Sequence, residues 1–214
     1  MALIAPQIIC SPSIGSGQPN IVLDSPVTYS DTSELIVFVD EHGQPTGETM
    51  SKLEAHTAST RLHLAFSCYI FNSRGELLTS RRALAKKVWP GVWSNSICGH
   101  PLPDETLEAA INRRLREELG MECHDLVCLV SDYTYQTPPF NSIIEHEFCP
   151  IFIAQSNTEP RPNPAEVADY RWLGWEEYVH TLEADNQTWS WWAKDQLRLL
   201  LDNPTLLNLA HRKN

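Results

Sequence analysis

No stretch of this 214-residue chain approaches the roughly 20 consecutive apolar residues that a bilayer-spanning helix needs. That predicts no contact with the membrane interior. A basic leader is missing too. The opening MALIAPQIICSPSIG holds no Lys or Arg and is interrupted by prolines, so it predicts no secretory signal. None of the cysteines Cys10, Cys68, Cys98, Cys123, Cys128 and Cys149 forms a CxxC pair, which together with the missing leader excludes a disulfide framework. They predict reduced thiols in a cytoplasmic protein, most of them plain core residues. Positive charge is also scarce. Sixteen Lys and Arg against 27 Asp and Glu give a net charge of −11, which speaks against non-specific nucleic-acid binding. No internal repeat or low-complexity tract is present.

What is there suits a soluble globular protein. A chain of this length with 42% hydrophobic residues can build one domain around a substantial core. Its few cations are concentrated: Lys52, Arg61, Arg74, Arg81, Arg82, Lys86, Lys87, Arg113, Arg114 and Arg116 all fall between positions 52 and 116. An acidic protein with one basic neighbourhood suits a small polyanionic substrate. Residues 1–33, rich in Ser, Pro and Gly, read as an N-terminal extension, 34–202 as the folded domain and 203–214 as a C-terminal tail.

From Glu34 the pattern turns regular. ELIVFVD predicts a strand, HGQP a turn and TGETMSK a second strand. Leu62 to Phe71 alternates, with Leu62, Leu64, Phe66, Cys68 and Ile70 on one face and His63, Ala65, Ser67 and Tyr69 on the other. Asn72-Ser73-Arg74-Gly75 turns into ELLTSRRA, and KKVWPGVWSNSI reads as a long loop. LVCLVSDYTY and IIEHEFCPIFIA read as single strands. The first places Tyr133 and Tyr135 on one face; the second points Glu145, Glu147 and Cys149 one way and His146 and Phe148 the other. Beyond a polar, proline-rich loop, YRWLGWEEYVHTL predicts a strand and a helix, and Gln187 to Leu201 a last helix opened by Trp189, Trp191 and Trp192. The mixture predicts a single-domain α/β (α+β) sandwich.

The stretch from Cys98 to Met121, CGHPLPDETLEAAINRRLREELGM, organises the rest. Leu107, Ala110, Ile111, Leu115 and Leu119 recur three to four residues apart, so one helical face is apolar. Asp104 is the expected cap of its first turn and Gly120 the expected terminator. Gly99, Glu105, Arg113, Leu115, Glu117, Glu118, Gly120 and Met121 resemble the Nudix box, Gly-x5-Glu-x7-Arg-Glu-U-x-Glu-Glu-x-Gly-U, with U a bulky apolar residue. Such a helix presents carboxylates to Mg²⁺, and the ion grips a diphosphate through its oxygens. One position departs: Arg114 stands where the box has the Glu that pyrophosphate-cleaving members use. A site that grips a diphosphate without cutting it fits better.

A second constellation joins His56, His63 and His100 to Glu145 and Glu147. Two carboxylates on one face of a strand that otherwise reads as core are costly unless paired or metal-bound. Three imidazoles and two carboxylates suit a divalent transition metal, Mn²⁺ or Zn²⁺. Cys98, between the tryptophan loop and the box, is either a small core residue or part of the site.

The run HTASTRLHLAFSCYIFNSRGELLTSRRALAKKVWPGVWSNSICGHP, followed by RRLREELG and EHEFCP, resembles type I isopentenyl-diphosphate delta-isomerase from about Glu34 to Leu201. That family is a Nudix-fold branch that isomerises, so the resemblance implies a Nudix-like mixed-sheet α/β/α sandwich. It also implies roles. Cys98 is catalytic and is counted with the metal-binding residues. His56, His63, His100, Glu145 and Glu147 hold the Mn²⁺ or Zn²⁺, and Glu147 is a catalyst as well, oriented by Tyr135. Glu118 holds the Mg²⁺ that accompanies the substrate. Lys52, Arg82, Lys86 and Arg114 bind the diphosphate, and Trp192 lies against the isoprenyl group. Members are monomers or weak homodimers.

The chemistry agrees. Moving the double bond needs a proton added at C4 and another removed from C2, through a tertiary carbocation. A tryptophan face stabilises such a cation by roughly 0.5–2 kcal/mol. Cys98 and Glu147 would act from opposite faces, Glu147 as donor and the Cys98 thiolate as base. Two other readings stay open on residues alone: a Nudix hydrolase of an organic pyrophosphate, and a non-catalytic diphosphate-binding module.

Overall fold

A computed structural model describes residues 34–184 and 187–212, so the 1–33 extension lies outside the described residues. In chain order the elements are β1 (Leu35–Val39), β2 (Pro45–Ser51), the single turn α1 (Lys52–Ala55), β3 (His63–Leu64), β4 (Phe66–Phe71), β5 (Leu77–Arg82), β6 (Trp93–Ser94), β7 (Ile97–Gly99) and α2 (Leu107–Leu119). There follow β8 (His124–Val130), β9 (Thr134–Gln136), β10 (His146–Phe148), β11 (Ile151–Gln155), β12 (Val167–Leu173), α3 (Trp175–Ala184), α4 (Trp191–Leu200) and α5 (Pro204–Ala210).

The strands form two mixed sheets. The smaller runs β2-β1-β3-β10-β9; the larger runs β12-β5-β4-β11-β8, with β6 paired to β5 and β7 to β4. Three segments that read as single strands each pass from one sheet to the other. The joints are Ala65 between β3 and β4, residues 131–133 between β8 and β9, and Cys149-Pro150 between β10 and β11. Pro150 brings no N–H to a ladder, which favours a break there. The joints are bonded to one another. Ala65 N–H donates to Phe148 O at 2.9 Å, Ser67 N–H to Pro150 O at 3.1 Å and Cys149 N–H to Tyr133 O at 2.7 Å.

β4 is buried on both faces, in keeping with its nearly continuous apolar run FSCYIF. Phe66, Cys68 and Ile70 pack with Ala110, Ile111, Leu115 and Leu119 of α2. Tyr69 and Phe71 face Trp175, Tyr178, Leu197, Leu200 and Leu206 from the three C-terminal helices. Helices therefore cover both sides of the large sheet, which makes the expected α/β/α sandwich.

α2 starts later than its sequence suggests. Thr106, not Asp104, is the cap: its side chain accepts from Ala109 N–H at 3.2 Å. Asp104 sits in the preceding turn with φ 64°. Gly120 does end the helix, at φ 60°, where a side chain would also meet Arg161 Cβ at 3.1 Å. The last Trp-rich helix likewise begins only at Trp191, capped by Ser190. Residues from 203 onward, set apart as a tail in the sequence, contain α5, whose Leu206 and Leu209 join the core.

Candidate active site

The small sheet, the α1 turn and the end of β7 in the large sheet gather five donors. His56 ends α1, His63 opens β3, His100 follows β7, and Glu145 and Glu147 sit at and in β10. One ligand atom from each lies within 4.8 Å of the others. The orientation of two rings is set from behind. His56 Nδ1 donates to Lys52 O at 2.7 Å and His63 Nδ1 to Arg61 O at 2.9 Å, because a carbonyl can only accept. Both Nε2 atoms then face inward. His56 Nε2 stands 3.2 Å from Glu145 Oε2. His100 Nε2 stands 3.1 Å from Glu147 Oε1, and His63 Nε2 3.7 Å from the same oxygen.

These residues fit a divalent cation. His63 Nε2 is buried with no hydrogen-bond partner among the described residues. Burial pushes the Glu145 and Glu147 carboxyls up, but the His56 partner of the first and the His100 and His63 partners of the second pull them below the usual range. Burial pushes His100 down to about 4, so its ring is neutral and ready to ligate. Two ionised carboxylates and three inward nitrogens need positive charge between them.

Across the cleft stands Cys98 on β7. Its Sγ donates to Asn95 Oδ1 at 3.1 Å and lies 3.4 Å from Ser67 Oγ. It is not one of the five clustered donors. Burial pushes the thiol up to about 11, so at neutral pH the resting residue keeps its proton. Glu147 is addressed from the other side by Tyr135, its cross-strand partner on β9, whose hydroxyl donates to Oε2 at 2.7 Å. Cys98, Tyr135, Glu147 and Trp192 line one cleft. Trp192 is locked by its Nε1–H, which donates to Ser94 Oγ at 2.8 Å, and its ring meets Trp89 edge-on at 6.2 Å.

The cations Lys52, Arg82, Lys86 and Arg114 line the same cleft, together with Glu118. Arg82 Nη2 donates to Val88 O at 3.1 Å, and its guanidinium carbon lies 5.8 Å from the Trp192 ring. Two carboxylates not singled out in the sequence belong here. Glu34 takes Lys52 Nζ at 2.7 Å and faces Arg114 Nη1 at 3.8 Å. Glu166 pairs with Lys86 and lies 3.4 Å from Arg114 Nη2.

A NUDIX domain model matches residues 61–197. Isopentenyl-diphosphate Delta-isomerase from Kocuria rhizophila is 46% identical over 172 residues, covering 80% of this chain and 95% of that protein. The chain belongs to the isopentenyl-diphosphate Delta-isomerase family. The family's protein from Citrobacter koseri is 47% identical over 161 residues, 75% of this chain and 88% of its own. Solved structures agree with the fold. A Deinococcus radiodurans protein aligns with TM-score 0.58 at 21% identity, covering 84% of this chain and 100% of its own. A MutT protein from Methanosarcina mazei gives 0.52 at 20% identity, covering 67% and 96%. Membership in this isomerase family brings divalent-metal binding and a small-molecule diphosphate substrate. No described helix is long and apolar enough to cross a membrane.

Proposed function

We infer that the chain interconverts isopentenyl diphosphate and dimethylallyl diphosphate, a step of isoprenoid biosynthesis, by two proton transfers on opposite faces of the substrate. One observation carries the assignment of residues. Cys98 from the large sheet and Glu147 from the small sheet enter a single cleft that also holds Lys52, Arg82, Lys86 and Arg114.

The four cations bind the diphosphate, with Glu118 as the carboxylate for its Mg²⁺. His56, His63, His100, Glu145 and Glu147 would hold Mn²⁺ or Zn²⁺, which supplies fixed positive charge to the buried carboxylates. Trp192 and Tyr135 wall the hydrocarbon end. A proton delivered to C4 leaves the positive charge on the tertiary C3. Loss of a proton from C2 then forms the new double bond, and the Trp192 face stabilises the cation between these events.

In the resting pair the proton sits on Cys98 and the charge on Glu147. A cycle entered from that state donates from Sγ and collects on the carboxylate. Read from the sequence, Glu147 donates at C4 and Cys98 is the base at C2; the proton resting on Cys98 supports the reverse order in that direction, and the roles exchange when dimethylallyl diphosphate is the substrate. Tyr135 stays on Glu147 Oε2 through both. Arg114 stands where the Nudix box has its Glu, and a guanidinium that stays protonated offers no base at that position for water attack on a phosphorus, which speaks against hydrolysis.

The test is incubation with isopentenyl diphosphate and Mg²⁺ in D₂O, followed by NMR. Deuterium entering both diphosphates is expected from the wild type. Cys98→Ala and Glu147→Gln should each lose at least about 10³-fold of that rate. Full activity in both variants, or release of inorganic phosphate instead, would overturn the reading.

A further inference from the structure

A buried polar chain runs behind the cleft. Ser67 and Tyr69 sit on one face of β4, and Gln196 reaches them from α4; their exposures are 1%, 0% and 0%. An unpaired amide in this apolar layer is costly, so the direction of each bond matters. The Tyr69 hydroxyl donates to Gln196 Oε1 at 2.8 Å. The other end of the amide, Nε2, donates to Ser67 Oγ at 2.8 Å. An amide nitrogen can only donate, which leaves Ser67 its own hydrogen to place. Two sulfurs are within reach of it, Cys98 Sγ at 3.4 Å and Cys149 Sγ at 3.5 Å.

The opposite side of Cys98 is fixed in the same manner. Asn95 Nδ2 donates to Cys68 O at 3.1 Å and Ile97 O at 3.2 Å, which turns Oδ1 towards Cys98 as an acceptor. The sulfur thus has an acceptor on one side and a hydroxyl on the other. A group that must both give and receive a proton needs one partner of each kind.

We propose that Gln196, held by Tyr69, is a positioning residue for the isomerisation: it turns the Ser67 O–H onto Cys98 Sγ, aiming the sulfur and supporting it once its proton has left. The proposal rests on the reading of Cys98 as a proton-transfer residue. It extends that reading to residues that touch no substrate.

Steady-state kinetics of the wild type, Ser67→Ala, Gln196→Met and the double variant provide the test, with thermal unfolding run alongside. Each single change should lower kcat about 10-fold with KM held within about 2-fold. The double variant should be no worse than Ser67→Ala, because Gln196 acts only through Ser67. Losses that multiply in the double variant, or folded single variants with wild-type kcat, would overturn the proposal. Should Gln196→Met not fold, Tyr69→Phe replaces it: lowered kcat at unchanged KM supports the relay, and unchanged kcat overturns it. A Cys98→Ala protein with full activity, or a wild type without isomerase activity, would strike the parent reading and this one with it.

Discussion

Arg114 and Glu118, one turn apart on α2, form an ion pair inside the protein, with Arg114 only 9% exposed and its Nη2 donating to Glu118 Oε1. Burial disfavours the charge on Arg114, but Glu118, Glu34 and Glu166 outweigh it and hold the group above its ordinary value. Burial pushes the Glu118 carboxyl up despite Arg114 beside it. The residue that departs from the Nudix box is therefore the hub of a charge network. Arg114→Met would leave four carboxylates, Glu34, Glu117, Glu118 and Glu166, without the guanidinium they share. It should raise KM at least about 10-fold and cost about 3–5 kcal/mol of stability, read from kinetics and urea unfolding. A variant of wild-type KM would remove Arg114 from the diphosphate site.

Glu34 gives a dependence on acid. Burial pushes its carboxyl up, but Lys52 and Arg114 together hold it well below its ordinary value of 4.5. A folded-state value lower than the unfolded one adds stability above the unfolded value, and that addition fades as pH falls below it. The wild type should therefore exceed Glu34→Gln in unfolding free energy at about pH 7, and the gap should narrow towards about pH 3. A gap that widens on acidification would contradict this pairing.

Metal removal should be visible without any turnover. A cation that binds only the folded chain stabilises it by about 2.7 kcal/mol at a hundred times its Kd. Chelator-stripped protein should melt lower, Mn²⁺ or Zn²⁺ should restore the melting temperature, and His63→Ala should abolish the response. An unchanged melting temperature in the stripped wild type would argue against a cation among the five donors.

Tyr135→Phe removes the hydroxyl on Glu147 Oε2 and keeps the ring stacked on Tyr133, at 5.5 Å between centroids. The expected outcome is a kcat reduced about 10–100-fold with little change in KM. An equal loss in KM would make Tyr135 a substrate-binding residue instead.

Much of this was legible in the sequence because it is periodic or local. The α2 stripe and the parity of Glu145 and Glu147 survive intact, since side-chain alternation continues across the joints between sheets. The joints themselves were hidden for that same reason: a strand that changes sheets keeps its pattern. Asp104 and Thr106 are both good cap residues, and only the positive φ of Asp104 separates them. Glu34 and Glu166 went unnoticed because their partners are remote, 18 residues away for Lys52 and 52 for Arg114. Gln196, a lone amide in an amphipathic helix, looks like a surface residue until the fold encloses it.

The three joints between the sheets bear on how the chain can change in length. Ala65, Tyr133 and Cys149-Pro150 hold the wall bearing Cys98 against the wall bearing Glu147, and each is bonded to a neighbouring strand. Adding or deleting one residue there would reverse the facing of every side chain beyond it, and would part Cys98 from Glu147. The exposed tips of the loops at 141–142 and 157–159 lie away from these joints and can lengthen with far less effect, whereas Arg161 and Asn163 are bonded to Leu119 and Glu118 at the end of α2. Insertions in this protein should therefore be absorbed at those loops and lethal to activity at the joints.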